Sequence, residues 1–157
     1  MSTVTTTSTA AWSKRLFDEL FGVLDSDSLY LLDSLNEGLL PIIDSLSAAT
    51  ATATVAPETV TIAGQCGHIL FLLNQYRDAD QGLKPSSDWE GSWRFNQVDE
   101  AGWDQLRADL RAAYADAAAR IQNRTDWTEQ AQNALLTLLA HTSYHVGQVR
   151  QLLTYVR

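Results

Sequence analysis

Residues 126–157 read DWTEQAQNALLTLLAHTSYHVGQVRQLLTYVR, a run without proline in which apolar side chains recur every three or four positions. Asp126 with Glu129 three residues later is a capping-box pattern, and the spacing predicts one helix of roughly 30 residues from there onward. A helix that long buries its apolar stripe only against partners of comparable length, so this element already points to a bundle.

Upstream, a second long helix has a readable start. Asp99 stands as N-cap, and Val98 before it and Trp103 at the fourth helical position can form a hydrophobic staple. Trp103, Leu106, Leu110, Ala113, Ala117 and Ile121 then follow the spacing of a buried stripe, leaving Asp104, Arg107, Arg111, Asp116 and Arg120 to a wet face. Further back, Thr59 or Thr61 caps a helix running to about Asp78, with Ile62, Ile69, Leu72 and Leu73 on its apolar face. Between these two helices lies a long connection, residues 80–97, that carries Trp89, Trp93 and Phe95. Such a connection is either a packed binding loop or lid, or a cover for the end of a bundle.

Nearer the start, Leu16, Leu20 and Leu24, then Leu32, Leu35, Leu39, Ile42 and Leu46, fit two helices or one bent helix. The Asp25-Ser26-Asp27-Ser28 cluster offers N-caps for the second stretch, and Pro41 should break it. The Ala/Thr patch of residues 48–56 reads as a connection, and Met1 to Ala10, rich in Ser and Thr, as a disordered tail. No period-two strand bounded by turn residues stands out. The expectation is an all-α fold: one four-helix-bundle domain over residues 11–157, with the aromatic loop between its second and third core helices.

Composition narrows the function. The 157 residues, 45% of them hydrophobic, supply one core rather than two. Eleven Lys+Arg against 19 Asp+Glu give a net charge of -8, which leaves no basic footprint for nucleic acid. The longest apolar run, Ile69 to Leu73, is far short of the roughly 20 residues of a spanning helix, and the first residues lack a signal-peptide pattern. No membrane partner and a cytoplasmic location are therefore expected. The lone Cys66 can form no internal disulfide.

The chemistry lies with three histidines, His68, His141 and His145. His141 and His145, four apart on one helix, differ by about 40° around the axis and about 6 Å along it, so both imidazoles can converge on one ion. The same spacing also fits a solvated surface pair. His68 shares a stripe with Leu72 and faces a bundle interior, where it is either a third ligand or a hydrogen-bonded core residue. Gly64, Gly67 and Gly147 beside the histidines would let two helix backbones approach closely. Gln148, three residues past His145, is placed to orient a ligand. Cys66, about 200° round the helix from His68, reads as a small buried hydrophobe.

The segment His141-Thr142-Ser143-Tyr144-His145-Val146-Gly147-Gln148 resembles the H-x-x-Y-H-x-G-Q signature of the DinB-like metalloprotein superfamily. Thr61-Ile62-Ala63 leading to Gly67-His68-Ile69 is similar to the family's segment with its first metal-binding histidine, and Trp89-Glu90-Gly91-Ser92-Trp93 to one subgroup's loop. The resemblance covers about Leu31 to Arg157. It implies a four-helix bundle in an up-up-down-down arrangement and a divalent metal on His68, His141 and His145. It also implies a homodimer, and relatives that include bacillithiol S-transferases and mycothiol-dependent maleylpyruvate isomerase.

Three neutral imidazoles leave an ion's charge uncompensated and a coordination position open, the pattern of catalytic sites. Imidazole suits zinc, nickel, copper and iron, with zinc the expected ion. Such a centre can lower the pKa of water to about 7 or hold a low-molecular-weight thiol as thiolate. The resemblance favours the thiol: a metal-dependent thiol S-transferase with a thiol cosubstrate and a small-molecule electrophile. A metal-dependent hydrolase and a non-enzymatic metal-binding bundle are the alternatives. Gln148, Tyr144 and Trp93 are candidates to support the ligands or line the pocket, and Trp89 and Phe95 can join them over the open position.

Overall fold

The long helices start where short polar side chains cap them. In the computed structural model, which describes residues 5–26 and 28–157, the Thr61 hydroxyl accepts from the Gly64 N–H and opens α4 (Ile62–Asp80). The Asp99 carboxylate does the same from Gly102 for α5 (Glu100–Asn123), and Thr128 from Ala131 for α6 (Glu129–Val156). Of these caps only the last departs from the sequence reading: Thr128, two residues after Asp126, makes the bond. Val98 packs against the core beside the fully buried Trp103, whose indole N–H donates to the Leu46 carbonyl at 2.9 Å.

The first helix, α1 (Thr5–Phe21), presents Phe17, Leu20 and Phe21 to the core. The disordered-tail expectation for Met1 to Ala10 falls partly on residues 1–4, outside the described residues, and is corrected at Thr5 to Ala10, which are helical. Gly22 ends α1 at φ 74°, with the Val23 N–H reaching back to the Asp18 carbonyl at 3.0 Å. A Cβ at Gly22 would stand 2.7 Å from the Leu35 carbonyl and from the Pro41 ring, so this turn needs glycine.

The helix expected from Leu32 to Leu46 is replaced by a short 3-10 turn, Leu35–Glu37, and by α2 (Leu39–Asp44). The cause is Glu19. Its wholly buried carboxylate accepts the backbone N–H groups of Tyr30 at 2.8 Å, Leu31 at 2.5 Å and Leu32 at 2.9 Å. Of the expected cap cluster, Asp27 lies outside the described residues, and Ser26 closes a local turn by accepting from the Ser28 N–H. Pro41 sits in the first turn of α2, where its missing N–H costs nothing. The Ala/Thr connection contains one helical turn, α3 (Ala48–Ala51), whose Ala48 and Ala51 are buried.

Among the described residues the protein is all-helical, without strands, and no helix is long and apolar enough to cross a membrane. The four long helices pack side by side: α4 lies against α5 and α6, and α1 against the same two. Asp80 at the end of α4 pairs with Arg120 and Arg124 at the end of α5, so these two helices run the same way. Gln65 precedes His68 on α4 but reaches past His145 to Gln148 on α6, so α6 runs against α4. Gly22 at the end of α1 packs on Leu35 and Pro41, and Glu37 beside them pairs with Arg150 late in α6, which makes α1 and α6 co-directional.

In chain order the long helices therefore run up, down, down, up, correcting the up-up-down-down order that the resemblance implied. The physical reason is the segment between α1 and α4. Gly22, Gly38 and Pro41 pack together at the end where α1 stops, so the chain stays there and α4 must run back.

Replacing Glu19 by alanine removes the acceptor of three N–H groups, that of Leu32 in a buried site and those of Tyr30 and Leu31 in part-buried ones. We expect a loss of about 3 kcal/mol, the cost of burying unsatisfied donors, with Glu19→Gln losing less because it keeps an acceptor oxygen. Urea unfolding of the two variants beside the wild type checks this.

Candidate metal centre

The first ten residues counted from Thr61 are all buried, because α5, α6 and the connection after α4 enclose that half of the helix. His68 sits in this stretch at 4% exposure. α6 brings His141 and His145 to it from the opposite direction, and His145 is equally buried. The ring centroids lie 4.5 Å apart for His68 and His145, 4.9 Å for His141 and His145, and 5.4 Å for His68 and His141. One donor atom from each can be chosen so that all three lie within 4.8 Å of one another. The cluster is thus close enough to hold a metal ion, and no Asp, Glu or Cys joins it among the described residues.

Two hydrogen bonds set which nitrogen of each buried ring is free. The Ser92 hydroxyl gives its single proton to the Trp89 carbonyl at 2.5 Å, so toward His68 Nδ1, 2.7 Å away, it can only accept. His68 therefore carries its proton on Nδ1. His145 Nδ1 lies 2.7 Å from the Gln65 side-chain oxygen, again an acceptor, while the Gln65 amide NH2 points to Gln148 Oε1 at 3.4 Å. Both rings are left with Nε2 as the lone-pair nitrogen, the tautomer a metal ligand needs. His145 Nε2 is buried and has no hydrogen-bond partner. An orphaned imidazole acceptor facing two other imidazoles fits a cation.

Electrostatics agree with this chemistry. Burial, with repulsion from His141, lowers the pKa of His68 to about 4. Burial, with repulsion from both other histidines, lowers His145 to about 4. Burial lowers His141 as well. The cluster stays neutral at pH 7, so protons do not compete for its nitrogens.

The other candidates are placed as follows. Trp93 stacks face to face on His68, 4.1 Å between centroids and 3° from parallel. Gln148 reaches the cluster only through Gln65. Tyr144 is 62% exposed, with its ring edge-on to His145 at 4.9 Å. Phe95 lies against Gly67, where a Cβ would meet its ring at 2.4 Å, and Asn96 lies against Gly64. These two glycines thus admit the returning loop rather than a neighbouring helix, which corrects the sequence reading. Gly147 faces open space. Cys66 is fully buried, and burial pushes its thiol pKa up, leaving it inert.

Sequence reasoning missed Gln65 and Ser92. Gln65 precedes His68 by one helical turn, a spacing that marks it as a neighbour on the same face. Ser92 carried no signal, because only the path of the loop brings it to His68.

The lowered pKa values carry a stability consequence with a definite sign. An unfolded histidine titrates near 6.5, so between about pH 6.5 and pH 4 the unfolded chain binds more protons than the folded one. The stabilisation is complete above that window and is lost as pH falls through it. Metal-free wild type should lose more stability between pH 7.5 and 4.5 than a His68→Gln/His145→Gln variant, compared by their urea midpoints.

Comparison of the chain with protein-family models, with curated proteins and with solved structures gave no match. The function of the cluster must accordingly be argued from its own donors and surroundings.

Proposed function

We propose that this chain is a DinB-like metalloprotein that binds one divalent cation, zinc first among the candidates, on His68, His141 and His145. In this reading it catalyses metal-dependent transfer of a low-molecular-weight thiol to a small electrophile. The observation that carries the proposal is the buried, partnerless Nε2 of His145 beside the donors of His68 and His141. Bound there, the cation supplies a Lewis acid that keeps a thiol as its thiolate at neutral pH.

The protein's own residues supply orientation and exclusion. Ser92 and Gln65 hold two imidazoles with Nε2 toward the cluster. Trp93 covers one face of His68 and keeps water from it. The cluster contains no carboxylate to act as a general base toward water, which favours a thiol over a hydrolytic nucleophile.

Elemental analysis of tag-free protein should find near-stoichiometric metal in the wild type and its loss in His68→Ala and His145→Ala. An absence of metal after dialysis against zinc and nickel would end the proposal. Ser92→Ala should bind zinc about 10- to 100-fold more weakly, the usual effect of removing a group that orients a ligand, while still filling one site at saturation. Competition with a chromogenic chelator measures this.

Turnover of electrophiles with bacillithiol, mycothiol or glutathione should require the metal. Activity without any thiol would move the assignment to a hydrolase, and metal binding with neither activity to a non-enzymatic bundle. The homodimer belongs to the same proposal; light scattering that returns 17.4 kDa, the mass of one chain, would remove it.

A further inference from the structure

An apolar groove of about 210 Å³ opens beside the histidine cluster, between α4, α6 and the loop that follows α4. Leu72 and Tyr76 of α4, Ala134 and Leu138 of α6, and Trp89 of the loop line it, and His141 belongs to its wall. No charged residue lines it; besides Tyr76 and His141 its polar members are Gln75 and Thr137. An apolar cavity of about 150 Å³ is enough to take benzene, so this groove has room for one ring or a branched alkyl group and little more.

Trp89 adds a second observation. Its ring meets Phe71 edge-on at 4.9 Å and lies 16° from parallel to His141 at 6.3 Å, yet 48% of the residue is exposed. A tryptophan left half bare beside an apolar hollow offers a flat surface for a further apolar group.

We infer that the groove seats the electrophile, and that it selects molecules carrying a neutral apolar group of about one ring, aryl or branched alkyl, next to the reacting carbon. The groove's own side chains disfavour an anionic group in the metal-free protein, because no Lys or Arg lines the groove to replace the water that a carboxylate or phosphate would lose. The assignment to an electrophile rests on the metal-dependent transfer proposed above. The preference for a neutral apolar ligand rests on the groove alone.

The test separates the two. Metal-free protein is titrated with 4-methylbenzyl alcohol and with 4-methylbenzoate, following the Trp89 indole N–H resonance, identified by its loss in Trp89→Phe. The alcohol should give a saturable shift, with the carboxylate at least tenfold weaker. Thr137→Trp, which fills the groove from an exposed position on α6, should weaken the alcohol at least tenfold and leave zinc stoichiometry unchanged. Absence of a saturable shift, equal binding of the carboxylate, or an unaffected Thr137→Trp variant would overturn the groove assignment, whatever zinc does. Alcohol binding in a protein that takes up no zinc would overturn the electrophile assignment together with the metal reading.

Discussion

Two neighbouring helices that run in the same direction cannot be joined by a short turn, and α4 and α5 are such a pair. The 19 residues of α4 rise about 28 Å, and the connection must travel back over that length before α5 can begin. It does so pressed against α4, where bare Gly64 and Gly67 let Asn96 and Phe95 lie on the helix backbone. Asn96 is tied there: its side-chain oxygen accepts from the Thr61 N–H at 2.7 Å, and its carbonyl accepts from the Thr61 hydroxyl. This passage brings the short helical turn Gly91–Asn96 alongside His68, and with it Ser92 and Trp93. Without the crossover, His68 would have neither its tautomer set nor its ring covered.

The cluster achieves neutrality through burial and mutual repulsion. Three imidazoles packed together, two of them buried and with no carboxylate among them, disfavour their own protonated forms. Each Nδ1 of the two buried rings is spent on an acceptor, Ser92 or Gln65, so the remaining nitrogens point inward as lone pairs. A set of this kind adds no negative charge to a bound cation and leaves its acidity intact. On one side the cluster borders a groove without charge, so the ligand environment changes from polar donors to apolar wall at His141.

The start of the chain shows local pattern losing to a tertiary contact. Leu32, Leu35 and Leu39 carry helical spacing, but the buried carboxylate of Glu19 captures three successive N–H groups and holds the backbone open. The two oxygens of one carboxylate thus satisfy three backbone donors at once. Arg15, on the same helix, bonds the Ser28 carbonyl at 2.5 Å, so the segment is folded back along α1 by side chains that sequence spacing does not connect.

Periodicity, caps and the four-residue interval between His141 and His145 were legible along the chain, because they depend on contacts within one helix. From them follow the all-helical class, the start of α5 at Asp99, the buried stripe from Trp103 to Ile121 and the facing of two imidazoles. The course of the segments between helices depends on partners far away in sequence: Glu19 with Leu32, Thr61 with Asn96, Ser92 with His68, Gln65 with His145. Helix direction, the role of the two glycines on α4 and the identity of the groups that orient the histidines were therefore decided by the tertiary structure. A local pattern records which face of a helix is apolar; which buried donor meets which acceptor is settled only when the elements pack.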